Sequence, residues 1–117
     1  MAAACDQTLE ALTSVFALLG KRWTGLILAV LMLDAVRYAE LTRAVPGISQ
    51  RMLSCRLAEL AAADLISREV VEGPPLAVRY RLTAKGAALR PAMEELARWA
   101  EEHYLNASEP PANRSAC

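Results

Sequence analysis

At 117 residues, with 55% hydrophobic and 22% charged side chains, the chain has room for one domain with a genuine core and is not disordered in composition. Thirteen basic residues balance thirteen acidic ones, so any nucleic-acid site must be a local concentration of charge, with acid segregated elsewhere. Cys5, Cys55 and Cys117 form no CxxC pair and His103 is the only histidine, which argues against a disulfide scaffold and a zinc site.

No metal or cofactor is therefore expected. The longest apolar run, residues 26–33, is too short to span a bilayer. Met1-Ala2-Ala3-Ala4 lacks the charged start and apolar stretch of a secretory signal, so a cytoplasmic location is expected.

In chain order, Leu9, Leu12, Val15, Phe16 and Leu19 have helical spacing, which predicts a helix over residues 8–19 closed by Gly20. Residues 23–33 are apolar on nearly every side and predict a second helix deep in the core. Trp23 reads either as a core anchor or as the wall of a ligand pocket. Asp34-Ala35 is a turn, and residues 36–38 make a brief strand before a short helix over 39–45, with Leu41 and Val45 inward. Arg37 stands at that helix entrance, as a phosphate contact or a free surface arginine.

Pro46-Gly47 breaks the chain and Ser49 is placed to cap the next helix, its hydroxyl accepting a bond from an orphan N–H. Leu53, Leu57 and Leu60 then fall at i, i+4 and i+7, one buried stripe. Gln50 flanks the stripe, and Arg51, Ser54 and Cys55 point away from it. Residues 49–58 contain Arg51 and Arg56 and no acid. These side chains suit a helix that reads DNA: Gln bonds adenine bidentately, Arg bonds guanine, and Ser bonds bases or phosphates. An ordinary solvated helix face is the plain alternative. The short helix, the turn and this helix together make a helix-turn-helix pattern. A Glu40–Arg56 pair across it would make Arg56 structural.

After Asp64 the period changes. Residues 65–71 are rich in β-branched side chains, Gly73-Pro74-Pro75 is a turn, and residues 78–82 alternate apolar and basic. Two strands around a turn, directly after a helix-turn-helix, make a wing. Arg79 and Arg81 share one strand face, with Val78, Tyr80 and Leu82 on the core face. Arg79 either meets DNA or pairs with Glu69 or Glu72.

Thr83 is placed to cap a last long helix running to about Tyr104, weakened by Gly86 and kinked at Pro91. Glu94, Glu95, Glu101 and Glu102 gather acid here, far from the basic helix. Met93, Leu96, Ala97, Trp99 and Ala100 add a late apolar surface. The first and last helices therefore read as a dimerisation surface. The fold expected is mainly α with a small β-hairpin: one winged helix-turn-helix domain over residues 1–105, with terminal dimerisation helices. Residues 106–117, with Pro110-Pro111, are expected to be a disordered tail.

Three stretches carry a resemblance. Leu19-Gly20-Lys21-Arg22-Trp23-Thr24 with Arg37-Tyr38-Ala39-Glu40-Leu41 is the first. Val45-Pro46-Gly47-Ile48-Ser49-Gln50-Arg51-Met52-Leu53-Ser54 is the second, and Tyr80-Arg81-Leu82-Thr83-Ala84-Lys85-Gly86 the third. In this order, from about Leu12 to His103, the chain resembles the HxlR-type winged-helix transcriptional regulators of bacteria, within a MarR/ArsR-like superfamily. The resemblance implies a cytoplasmic homodimer on a pseudo-palindromic double-stranded DNA operator. It also implies control by small molecules or electrophiles, in some members through a cysteine ahead of the first helix, a place Cys5 roughly occupies. Cys5 lies farther from Trp23 than that pattern expects. The wing departs too, with Arg79 where an acid is common.

The leading expectation is a regulator, a repressor by default. Gln50, Arg51 and Ser54 would enter the major groove, with Ser49, Arg37, Arg56 and Arg79 nearer the backbone. Cys5 and Cys55 are candidate redox sensors, Cys55 because Arg56 lies beside it. The alternative trigger is a small ligand between the domain and the dimer helices. A winged helix used for protein interaction without DNA is the competing reading. No catalytic constellation is evident, so an enzyme is not expected.

Overall fold

The structure is a computed structural model that describes residues 2–105, and the side chains of residues 6–105. The order of elements is α1 (Ala2–Leu19), α2 (Thr24–Leu33), β1 (Val36–Arg37), α3 (Tyr38–Ala44), α4 (Gln50–Ala62), β2 (Ile66–Val71), β3 (Ala77–Leu82), α5 (Ala84–Ala87) and α6 (Arg90–Ala100). A π-helical turn, Glu101–Leu105, continues from α6. The expectation for the tail falls on residues outside those described.

The core is built where the helical stripes meet. Ile27, Leu28 and Leu31 of α2, Leu41 of α3, and Leu53, Leu57 and Leu60 of α4 are buried together with Val45, Ile48, Leu65, Ile66 and Tyr80. Burying a Leu or Ile side chain contributes about 1.5–3 kcal/mol, so this cluster is the main stabilising term. β3 is the middle strand of an antiparallel sheet of order β1-β3-β2. β1 aligns Val36 with Tyr80 and Arg37 with Arg79. β2 aligns Ile66 with Leu82 and Glu69 with Arg79. Side chains alternate across a sheet, so Val36, Tyr80 and Leu82 lie on the core face and Arg37, Arg79 and Arg81 on the other.

Three expectations change. α2 is not buried all round: Leu26 and Leu33 are 57% and 86% exposed, on the side turned away from the core. The last helix is not one bent rod. α5 ends at Ala87 and α6 begins at Arg90, because Pro91 has no N–H to offer Ala87 and instead occupies the first turn of a new helix. Thr83 does cap α5, its Oγ1 accepting from Gly86 N at 3.0 Å. Gly86 is no weak spot, since it is buried, and a Cβ there would lie 2.1 Å from the carbonyl oxygen of Leu65. Only glycine lets α5 approach the end of α4 so closely.

Among the described residues no single helix is long and apolar enough to cross a membrane.

Candidate nucleic-acid interface

The turn into α4 is set by two local features. Gly47 takes φ +92°, in the left-handed region. Ser49 is extended, and its Oγ accepts from Met52 N at 3.0 Å, satisfying one of the orphan donors of the helix start. With Leu53, Leu57 and Leu60 turned into the core, Gln50, Arg51, Ser54 and Cys55 are left exposed on the opposite side. The guanidinium of Arg51 has no partner among the described residues, so it is free to engage a ligand.

Tyr38, which the sequence reading passed over, organises this surface. Its hydroxyl donates to the carbonyl oxygen of Gln50 at 3.1 Å and lies 3.0 Å from Ser54 Oγ. A phenol has one proton. With that proton on Gln50, Ser54 is the donor in the second bond and keeps its lone pairs for an outside donor. The signal was available only as a tyrosine one residue past Arg37.

Arg56 does not pair with Glu40. Glu40 sits at the third position of α3 and its carboxylate accepts from Arg37 N at 2.8 Å, closing the start of that helix. Arg56 instead donates its Nε to the carbonyl oxygen of Arg22 at 2.9 Å, and its Nη1 lies 3.1 Å from Glu59 Oε1. Its side chain is only 14% exposed. The other oxygen of Glu59 takes Lys21 Nζ at 3.0 Å. The hydrogen bond from Lys21 is the main reason that Glu59 is held below its ordinary pKa; desolvation, next in size, opposes it, and the charges of Lys21 and Arg56 add to the lowering. This cluster ties α4 to the turn after α1.

Arg37 and Arg79 lie side by side on the sheet, away from the α4 stripe. Arg79 pairs with neither Glu69 nor Glu72; Arg81 reaches Glu69, at 3.5 Å. The structure thus gathers Gln50, Arg51 and Ser54 in one patch and Arg37 and Arg79 in a second, with Tyr38 between them. Arg56 lies apart from both.

Trp23, at φ 81°, precedes α2. It packs against the core cluster, stacks under the Arg22 guanidinium at 4.6 Å, and also lines an apolar cleft with Leu26, Met32, Met93 and Ala97. The core-anchor reading is the one its packing bears out, and its outer edge forms part of the cleft wall.

Over residues 18–108 the chain matches the family model described as HxlR-like helix-turn-helix. It is 46% identical over 89 residues to the HTH-type transcriptional regulator YodB of Bacillus subtilis (strain 168), an alignment covering 76% of this chain and 80% of YodB. This chain belongs to the HxlR-like helix-turn-helix family. Its fold matches that of the reduced form of YodB with a TM-score of 0.73 and 43% identity, covering 82% of this chain and 94% of that one. It also matches the redox regulator HypR in its oxidized form, with a TM-score of 0.74 and 29% identity, covering 91% and 99% of the two chains.

In this HxlR-like chain the two candidate thiols are placed differently. The backbone of Cys5 lies inside α1 rather than ahead of it, and its side chain is outside those described. Cys55 is exposed and free, with Sγ 3.8 Å from Glu59 Oε2. The expected neighbour, Arg56, is turned to Glu59 and Arg22 instead.

Proposed function

We infer that this protein is a sequence-specific, DNA-binding transcriptional regulator, with α4 as its reading helix. The observation that carries the reading is the exposed, acid-free N-terminal face of α4, with an unpartnered Arg51 and a Ser54 oriented by Tyr38. Gln50, Arg51 and Ser54 enter the major groove. Ser49 and the helix start face a phosphate, and Arg37 and Arg79 serve the backbone. Arg56 is assigned to the same surface indirectly: bonded to Glu59 and Arg22, it holds the angle of α4.

The protein acts in the cytoplasm as a homodimer through α1 and α6 and represses by occupying its operator. The dimer is supported by the uncovered apolar side chains of those helices, Leu9, Leu12 and Phe16 on α1 and Leu96 and Trp99 on α6. A two-fold dimer places two α4 helices about 34 Å apart, one turn of DNA. Control by thiol oxidation is supported by the kinship with YodB and HypR. Cys5 is the stronger candidate, since Cys55 faces a carboxylate rather than a free cation. A small effector in the apolar cleft beside Trp23 is the alternative trigger.

The test is a gel shift against the DNA upstream of its own gene, in salt steps, with and without diamide. A discrete shift that resists non-specific competitor is expected. If a dimer engages 6–10 phosphates, its affinity falls by about 10³–10⁵ between 50 and 200 mM salt. Loss of the shift with diamide in wild type but not in Cys5→Ser assigns the switch. No specific shift under any condition, with a protein partner recovered instead, overturns the DNA reading.

A further inference from the structure

A cleft of about 680 Å³ opens between the end of α2, strands β1 and β3, and the starts of α3 and α6. Its ionic lining is Arg37, Arg79, Arg81 and Arg90, with Asp34 and Glu40. The register sets Arg37 directly opposite Arg79, and Arg81 follows two residues on, on the same face. Like charges opposite one another across an antiparallel pair are destabilising. Neither guanidinium group has a hydrogen-bond or ion-pair partner among the described residues, and Glu69, which the register sets opposite Arg79 on β2, reaches Arg81 instead.

The acids of the cleft do not supply the relief. Asp34 Oδ1 accepts from Ala35 N at 2.7 Å, and Glu40 Oε1 accepts from Arg37 N at 2.8 Å. Each is turned to the main chain. Arg81 touches Glu69 only at 3.5 Å, the long limit of a useful contact. Arg90 differs: its Nη1 donates to the carbonyl oxygen of Met32 at 2.5 Å, fixing the rim and covering the carbonyl end of α2. The cleft therefore keeps two guanidinium groups without a partner and one loosely held, beside the bonded Arg90.

We propose that this cleft is a phosphate-binding site. Guanidinium forks match the oxygens of a phosphate bidentately, and several of them around one space select multiply charged anions over chloride. The volume falls in the range of small-ligand sites and exceeds what one inorganic phosphate fills. A free organic phosphate fits it, and a phosphate of the operator backbone supplies the same chemistry through Arg37 and Arg79. The second source rests on the DNA reading above; the site itself does not.

The full-length protein is titrated with sodium pyrophosphate at constant ionic strength, following backbone amide shifts by NMR, with sodium chloride as control. Saturable shifts confined to residues 34–40, 79–82 and 87–90 are expected. The Arg79→Gln/Arg81→Gln double variant, with an otherwise unchanged spectrum, should bind at least tenfold more weakly. Unsaturable shifts spread over all basic surfaces, or equal binding by the double variant, mean an adventitious ion only and overturn the proposal. A second arm separates the sources. If saturating pyrophosphate raises the operator Kd several-fold beyond the chloride control, the cleft shares its arginines with DNA. Binding with no effect on the operator leaves the site to a free phosphate ligand and removes Arg37 and Arg79 from the DNA contacts.

Discussion

At the start of α4 three neighbouring polar residues are given three different tasks by their partners. Ser49 is turned back to cap its own helix, Ser54 is held by Tyr38, and Arg51 is left open. Arg51→Ala therefore removes no intramolecular bond. It should leave the melting temperature unchanged while weakening operator binding by about 1–3 kcal/mol, the worth of a bidentate base contact. Unaltered affinity in a fluorescence anisotropy titration would strike Arg51 from the reading set. Glu59 is the opposite kind of residue, with every oxygen engaged. Its carboxyl is held below the ordinary 4.5, so the folded state binds its proton less readily than the unfolded chain does. Stability from this group is thus present above the unfolded value and lost as pH falls through the folded one. The urea midpoint of Glu59→Gln should lie below that of wild type at pH 7, and the gap should narrow as the pH is taken progressively below 4.5. A gap independent of pH would show that the charge of Glu59 is not what matters.

At the scale of elements, the join between wing and last helices is closely bonded. Thr83 N donates to Leu65 O at 3.0 Å, and Thr83 Oγ1 donates to Asp64 O at 2.6 Å. Lys85 Nζ adds a bond to Ala63 O at 3.1 Å. Gly86 allows this approach, since a Cβ would strike backbone, which cannot step aside like a side chain. Gly86→Ala should cost about 1–3 kcal/mol by overpacking. At about 4–8 °C per kcal/mol for a domain of this size, thermal denaturation should show a clear drop, and an unchanged midpoint would mean that α5 is free to move. Elsewhere local rules suffice: the Ser49 cap, the Leu53–Leu57–Leu60 stripe and the alternation of β3 each depend on a few adjacent residues, and each stands as the sequence alone predicts.

For the molecule as a whole, the telling feature is what its outer helices fail to bury. α6 has no buried residue, with Leu96 58% and Trp99 49% exposed, and the outer side of α2 is equally bare. A monomer that left such surface in water would forgo about 25 cal/mol for every Å² of apolar area it could have covered. Leu96→Asp should convert a dimer into a monomer in sedimentation equilibrium and weaken operator binding in step, because two half-sites are no longer engaged together. A wild-type protein that sediments as a monomer at tens of micromolar would refute the assembly.

The sequence by itself determined what is local. The helix-turn-helix, its cap, the wing strands and the exposed Gln50-Arg51 face follow from residues within one or two turns of each other, where period and capping chemistry are strong. The tertiary structure decided whatever depends on a distant partner. Arg56 and Glu40 both had an attractive opposite charge in sequence, yet a nearer main-chain group and a nearer carboxylate took them. Gly86 looked like a weak helix former until the backbone of Leu65 was set against it. Arg37 and Arg79 are far apart in the chain, and only strand register brings their charges face to face. Pairings of this kind are set by how the elements dock, and docking is governed by the packing of the whole core rather than by any single stretch of the chain.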